Sequence, residues 1–168
     1  MKIGLLSDTH GFLDPKIFDY FAEADEIWHA GDIGDEHVLT SLEHFRPTKA
    51  VLGNIDSAKV FHHLPEDWLF TCQGVKVWIT HIGGSPPRYN ERGKSKLRQH
   101  LPDLFICGHS HIMKAQRDPQ YNNMLYLNPG AAGNHGFHHI KTIVRFDLEG
   151  GKIKNMQVIE LGKRGTTV

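Results

Sequence analysis

The 168 residues carry nineteen basic and nineteen acidic side chains, so no global charge excess is available to recruit a phosphate backbone or an anionic membrane. No apolar stretch approaches the roughly 18 residues of a membrane span and no hydrophobic signal segment precedes the first strand, which leads us to expect a cytoplasmic protein without membrane or nucleic-acid partners. Cys72 and Cys107 lie in apolar runs outside any CxxC arrangement, as suits a reducing compartment, and the length is that of one domain spanning residues 1–168.

Along the chain, Lys2 to Ser7 reads as a buried strand that breaks at Asp8 and Gly11. Pro15 then opens a helix with Ile17, Phe18, Phe21 and Ala22 at helical spacing, and Glu26 to Ala30 forms a second strand ended by Gly31 and Asp32. Val38, Leu39, Leu42 and Phe45 mark an amphipathic helix stopped by Pro47, after which Ala50 to Leu52 is a third strand ended by Gly53 and Asn54. This alternation argues for parallel pairing through crossover helices, and sheets of that kind bind ligands beyond the carboxyl ends of their strands.

Trp68 to Thr71 and Val75 to Thr80 flank a turn at Gln73 and Gly74, giving an antiparallel hairpin that ends at His81. A loop over Gly83 to Pro87, a modest helix through Leu97 and a strand from Asp103 to Cys107 lead to Gly108, His109 and His111. Met124 to Leu127, Ile140 to Leu148 and a last strand through Leu161 make the second half strand-rich, and Gly162 to Val168 reads as a mobile tail.

Thirteen histidines are the compositional outlier, and four of them fall at the ends of apolar runs together with aspartate and asparagine. In order these are Asp8, His10, Asp32, Asn54, His81, His109 and His111. Mixed carboxylate, amide and imidazole donors suit a pair of hard or borderline divalent cations. If Asp8 to His10 and His109 to His111 are extended, residues two apart point the same way and each pair faces one cation. A single structural zinc fits less well, because neither cysteine belongs to the series.

The pattern DTH, GD, GN, H, GHSH resembles the calcineurin-like metallophosphoesterase superfamily in order and spacing, within it the small YfcE-type phosphodiesterases, over Met1 to about Asn128. The resemblance implies an α/β sandwich of two mixed β-sheets flanked by helices. It also implies two divalent metal ions, the first on Asp8, His10, Asp32 and His111 and the second on Asp32, Asn54, His81 and His109, with Asp32 bridging. Asp32, Asn54 and His109 carry catalytic roles in this reading, and the substrate is a small phosphoester hydrolysed by a hydroxide between the metals. Manganese is expected by resemblance, and iron, nickel or zinc suit the same donors. Relatives are commonly dimers or tetramers, which leaves a homo-oligomer open. The competing expectations are a phosphomonoesterase and a non-catalytic scaffold, since the retromer subunit of this fold serves protein assembly.

Three departures stand out. Where the family has a leaving-group histidine after GN, this chain has Ile55, followed by Asp56, read here as a plain turn residue. Ile82 replaces the family's glycine after His81, and Arg88 in the next loop is weighed as a phosphate clamp against a solvated arginine. The NPGS turn appears as Asn128 to Ala131 without its serine, and His135, His138 and His139 beyond it are read as surface residues before substitutes for the missing acid. His29, His37, His44, His62, His63 and His100 are expected at the surface or in turns, and Trp28, Trp68, Trp78 and most phenylalanines in the core.

Overall fold

The computed structural model describes residues 1–165. In chain order they form β1 (Lys2–Leu6), α1 (Lys16–Tyr20), β2 (Glu26–His29), α2 (Glu36–Phe45), β3 (Thr48–Ala50), β4 (Asp67–Cys72), β5 (Val75–Thr80), β6 (Gly84–Ser85) and β7 (Arg88–Tyr89). They continue with α3 (Glu91–His100), β8 (Leu104–Ile106), β9 (Met113–Asp118), β10 (Met124–Pro129), β11 (Ile140–Glu149) and β12 (Lys152–Lys163). No helix among the described residues is long and apolar enough to cross a membrane.

Two five-stranded mixed sheets carry the fold, ordered β12-β11-β1-β2-β3 and β4-β5-β8-β10-β9. In the first, β1, β2 and β3 run parallel through α1 and α2, and the hairpin β11–β12 joins β1 antiparallel, with Ile3 opposite Phe146. In the second, β5, β8 and β10 are parallel, with β4 and β9 antiparallel at the edges. Strand alternation sends Ile3, Leu5, Trp28, Val77, Ile79, Leu104, Ile106, Leu127 and Phe146 into the space between the sheets. The opposite face of β1 and β2, with Leu6 and Ile27, packs on Ile17, Phe21, Val38, Leu39 and Leu42 of the helical layer. The outer face of the second sheet, with Trp78 and Phe105 stacked 4.2 Å apart, is covered by Leu97 of α3 and by Tyr89. Central strands buried on both faces need near-continuous apolar runs, which is why β1, β2 and β8 were readable.

The sandwich expectation holds, with local corrections. Gly83 to Pro87 is not a plain loop: Gly84–Ser85 and Arg88–Tyr89 pair as a two-stranded ribbon around a cis Pro86–Pro87 bond. The third strand lies two residues earlier than read, and Val51 to Asn54 is an irregular exit from it. β9, with the sequence MKAQRD, has no apolar signature because it is an edge strand with only Asp118 buried. The expected tail is structured at its start: β12 runs to Lys163, Arg164 N–H donates to the His139 carbonyl at 2.9 Å, and Gly165 N–H donates to Asn134 Oδ1 at 3.0 Å. Residues 166–168 of that expectation lie outside the described residues. Trp28 and Trp78 are fully buried as expected, whereas Phe137 is 99% exposed.

Candidate metal centre

All seven donors of the sequence series lie just past strand ends: Asp8 and His10 after β1, Asp32 after β2, Asn54 after β3, His81 after β5, His109 and His111 after β8. Two groups result. Asp8, His10 and His111 bring one donor atom each within 4.8 Å of one another, and Asp32, His81 and His109 do the same. In the first, His10 Nε2 and His111 Nε2 face each other at 3.3 Å, and Asp8 Oδ1 lies 3.1 Å from His111 Nε2. In the second, His81 Nε2 lies 3.2 Å from Asp32 Oδ1 and 3.0 Å from Asn54 Oδ1. Asp32 belongs to both neighbourhoods, because its Oδ2 is 3.5 Å from His10 Nε2.

The local backbone differs from the extended geometry expected for DTH and GHSH. Asp8, His10, Asp32, His109 and His111 all have positive φ, between +47° and +68°. Aspartate and histidine tolerate this left-handed region better than most residues, yet each still gives up free energy, and such conformations persist only where the surroundings enforce them. The enforcing contacts are visible. Asp8 N–H donates to the Gly31 carbonyl, His10 N–H to the Asp32 carbonyl and Gly133 N–H to the Asp8 carbonyl, all within 3.1 Å. His109 N–H donates to both oxygens of Asp8, and Asn128 Nδ2 donates to the Gly108 carbonyl at 2.7 Å and to Ser110 Oγ at 3.1 Å. Gly53 must be glycine for a related reason: a Cβ there would fall 2.0 Å from Asp32 N and 2.1 Å from Asp32 Oδ1.

Electrostatics suits cations. Burial alone would raise the Asp32 carboxyl, but the hydrogen bond and charge of His81 and the Ile55 N–H hold it below the ordinary carboxylate value. Burial pulls His81 down, yet the hydrogen bond to Asp32 and the charge of Asp8 outweigh it and raise the imidazole. His81 Nδ1 is fixed by the Ala30 carbonyl at 2.8 Å, so Nε2 is the nitrogen presented to Asp32 and Asn54. His10 is lowered by burial, which leaves it neutral and able to donate a lone pair. This donor set, two carboxylates with amide oxygen and imidazole nitrogens, fits divalent cations.

Several side chains read as bland do more. Asp56 is not a plain turn residue: its carboxylate accepts from Ile33 N–H at 3.2 Å, Gly34 N–H at 2.9 Å and Gly53 N–H at 2.8 Å, tying the Asp32 loop to the Asn54 loop. We expect Asp56→Ala to cost about 2 kcal/mol in urea unfolding, because three amides lose a charged acceptor. The same change should weaken metal binding by about 10- to 100-fold in a metal titration. Lost stability with unchanged metal affinity would show that Asp56 supports only the fold. His29, expected at the surface or in a turn, is fully buried. Gly31 N–H donates to His29 Nδ1 at 3.2 Å, so Nε2–H donates to Thr9 Oγ1 at 2.9 Å, and Thr9 passes its hydrogen to the Ile33 carbonyl at 3.0 Å.

The His135 ring lies 4.8 Å from His10 and the His138 ring 5.3 Å from His111, while His139 is exposed. Both of these rings adjoin the first donor group; His135 is nonetheless exposed, as expected, whereas His138 is half-buried and not a plain surface residue. Arg88 is exposed on β7, and the arginine beside His81 is Arg92 of α3, which no motif or spacing singles out.

Comparison with known proteins shows the family. Residues 1–151 match the model of the calcineurin-like phosphoesterase superfamily domain, and the chain belongs to that family. A probable metallophosphoesterase of Methanocaldococcus jannaschii is 33% identical over 138 residues, covering 78% of this chain and 68% of that protein. Among solved structures, the Escherichia coli phosphoesterase YfcE superposes with a TM-score of 0.61 at 19% identity, over 94% of this chain and 98% of that one. Vps29 from Entamoeba histolytica, solved in complex with zinc, superposes at 0.73 with 16% identity, over 95% of this chain and 99% of that one. These two likenesses concern the fold. Family membership makes the chain a metallophosphoesterase with candidate sites for divalent metals.

Proposed function

We propose that the chain hydrolyses phosphodiesters at a two-metal centre, with Asp8, His10 and His111 holding one divalent cation, Asn54, His81 and His109 the other, and Asp32 shared. The observation that supports it most is the Asp32 carboxylate, whose Oδ1 is 3.2 Å from His81 and whose Oδ2 is 3.5 Å from His10. When bound, such cations supply an activated water nucleophile at neutral pH and neutralise charge on the phosphoryl oxygens. Asp56 and Asn128 keep the donor loops in place, so little reorganisation accompanies reaction. Two divalent cations outweigh the carboxylates Asp8 and Asp32, and the resulting positive centre attracts an anionic phosphoester.

Manganese is our assignment by family resemblance. Iron, nickel or zinc suit the same donors, and the zinc complex of Entamoeba Vps29 speaks for zinc. Free Cys72 and Cys107 accord with the cytoplasm as the setting, and homo-oligomers are common among relatives. The Vps29 likeness keeps a scaffold role as the competing reading, against which the complete donor set counts. The test is hydrolysis of bis(p-nitrophenyl) phosphate and p-nitrophenyl phosphate by chelator-treated protein before and after manganese. We expect manganese-dependent cleavage with the diester preferred by about tenfold or more, a difference of about 1.4 kcal/mol in barrier. Preference for the monoester would make the chain a phosphomonoesterase, and metal binding without cleavage of either ester would put the scaffold ahead.

A further inference from the structure

Three of the donor residues are followed at once by an exposed aliphatic side chain. Ile55 follows Asn54, Ile82 follows His81 and Ile112 follows His111, with exposures of 46%, 40% and 67%. Phe137 follows Gly136, whose Cβ position would lie 2.0 Å from His111 Nδ1. Large apolar side chains at solvent are unremarkable singly, but a set gathered around one centre marks a binding surface.

Beside the second donor group is a cleft of about 490 Å3, reached past Asn54 and His81 and walled by Leu52, Ala58 and Ile82. Its polar lining is already engaged. Both Asp56 oxygens accept backbone N–H groups, and Asn90 uses Oδ1 to accept from Gly93 N–H at 2.6 Å and Nδ2 to donate to the Ile82 carbonyl at 3.3 Å. Arg92 donates to Thr80 Oγ1 at 3.1 Å and pairs with the carboxylates of Asp67 and Glu66. Glu66, 79% exposed along its side chain, adds a negative charge that repels anionic arms. Few groups remain to read the hydroxyls of a sugar or the charges of a nucleotide, whereas the aliphatic wall is free.

We propose that the substrate's organic arm is apolar, an aryl or alkyl ester, and that it lies in this cleft along Leu52 and Ile82. The proposal rests on the hydrolase reading: with phosphorus held between the two donor groups, an ester arm extending over Asn54 and His81 enters this cleft and meets Leu52 and Ile82. An apolar arm removes those side chains and its own surface from water, whereas a polar arm would lose hydration without gaining partners.

The experiment compares three diesters that share p-nitrophenol as the released group and differ in the other arm, which is methyl, phenyl or thymidine, all with manganese-loaded protein. We expect kcat/KM for the phenyl arm to exceed that for methyl by about tenfold and that for thymidine by at least as much. Ile82→Ser and Ile82→Asn should shrink the phenyl-to-methyl ratio to about twofold, as expected when apolar contact is lost. Met156→Ser, an exposed apolar position on β12 away from the donor loops, should keep the wild-type ratio. Each ratio is measured within one preparation, so it is independent of the folded fraction. Equal values for the three arms, preference for thymidine, or an unchanged ratio in both Ile82 variants would overturn the proposal and leave the rim to a protein partner. No turnover of any diester would instead remove the phosphodiesterase reading, and the proposal with it.

Discussion

Asp32→Asn is expected to lower phosphodiester turnover at saturating manganese by about a thousandfold while leaving the fold intact. Asp32 is 2% exposed, sits at φ +56° and accepts Ile55 N–H at 3.1 Å through Oδ1. Asparagine has the same shape, tolerates the left-handed backbone and retains an oxygen for Ile55, so a melting temperature within a few degrees of wild type is expected for chelator-treated protein. What it loses is the negative charge and the second acceptor oxygen, the two properties by which one side chain serves both His10 and His81. Metal content should fall from two ions per chain toward one, read by elemental analysis alongside kcat. Full activity with two bound metals would show that Asp32 is not shared.

The candidate centre was legible because its donors interrupt apolar runs. Asp8, Asp32, Asn54, His81 and the GHSH histidines each follow a strand that the chain must bury, so the eye meets them as breaks in a strong pattern. The frame from β1 to β3 was readable for the same reason, and the hairpin β4–β5 from its turn at Gln73 and Gly74. The backbone at the donors was not readable. Positive φ at Asp8, His10, Asp32, His109 and His111 depends on hydrogen bonds to segments far along the chain, such as Gly133 N–H to the Asp8 carbonyl, which no local spacing announces. The roles of Asp56 and His29 are illegible on similar grounds, since their partners Ile33, Gly34 and Thr9 lie at least twenty positions away. β9 gives no legible signal because an edge strand needs few apolar residues, and the nearness of His135 and His138 to the first donor group depends on the connection from β10 to β11.

The largest stability effect is expected from acid acting on His29. Burial pushes this imidazole down from 6.5 to about 4, and its neutral form is already committed: Nδ1 accepts Gly31 N–H while Nε2–H donates to Thr9. Protonation requires a hydrogen on Nδ1, which would oppose the Gly31 N–H at 3.2 Å in a fully buried site. The folded pKa lies below the unfolded value, so the unfolded chain binds the proton first. Stability is therefore fully present above about pH 6.5 and is lost as pH falls from there toward 4, by about 3 kcal/mol for this one group. His10 and His138, also lowered by burial, act in the same direction, whereas His81, raised by Asp32 and Asp8, opposes them. His29→Gln separates the contributions, because an amide offers one acceptor and one donor and does not titrate. In urea unfolding of chelator-treated protein, the variant should be less stable than wild type at pH 7 yet lose distinctly less stability by pH 4.5. Parallel pH profiles for the two proteins would show that the acid response belongs to the donor histidines and that His29 serves only to hold Thr9 and Gly31 beside Asp8 and Asp32.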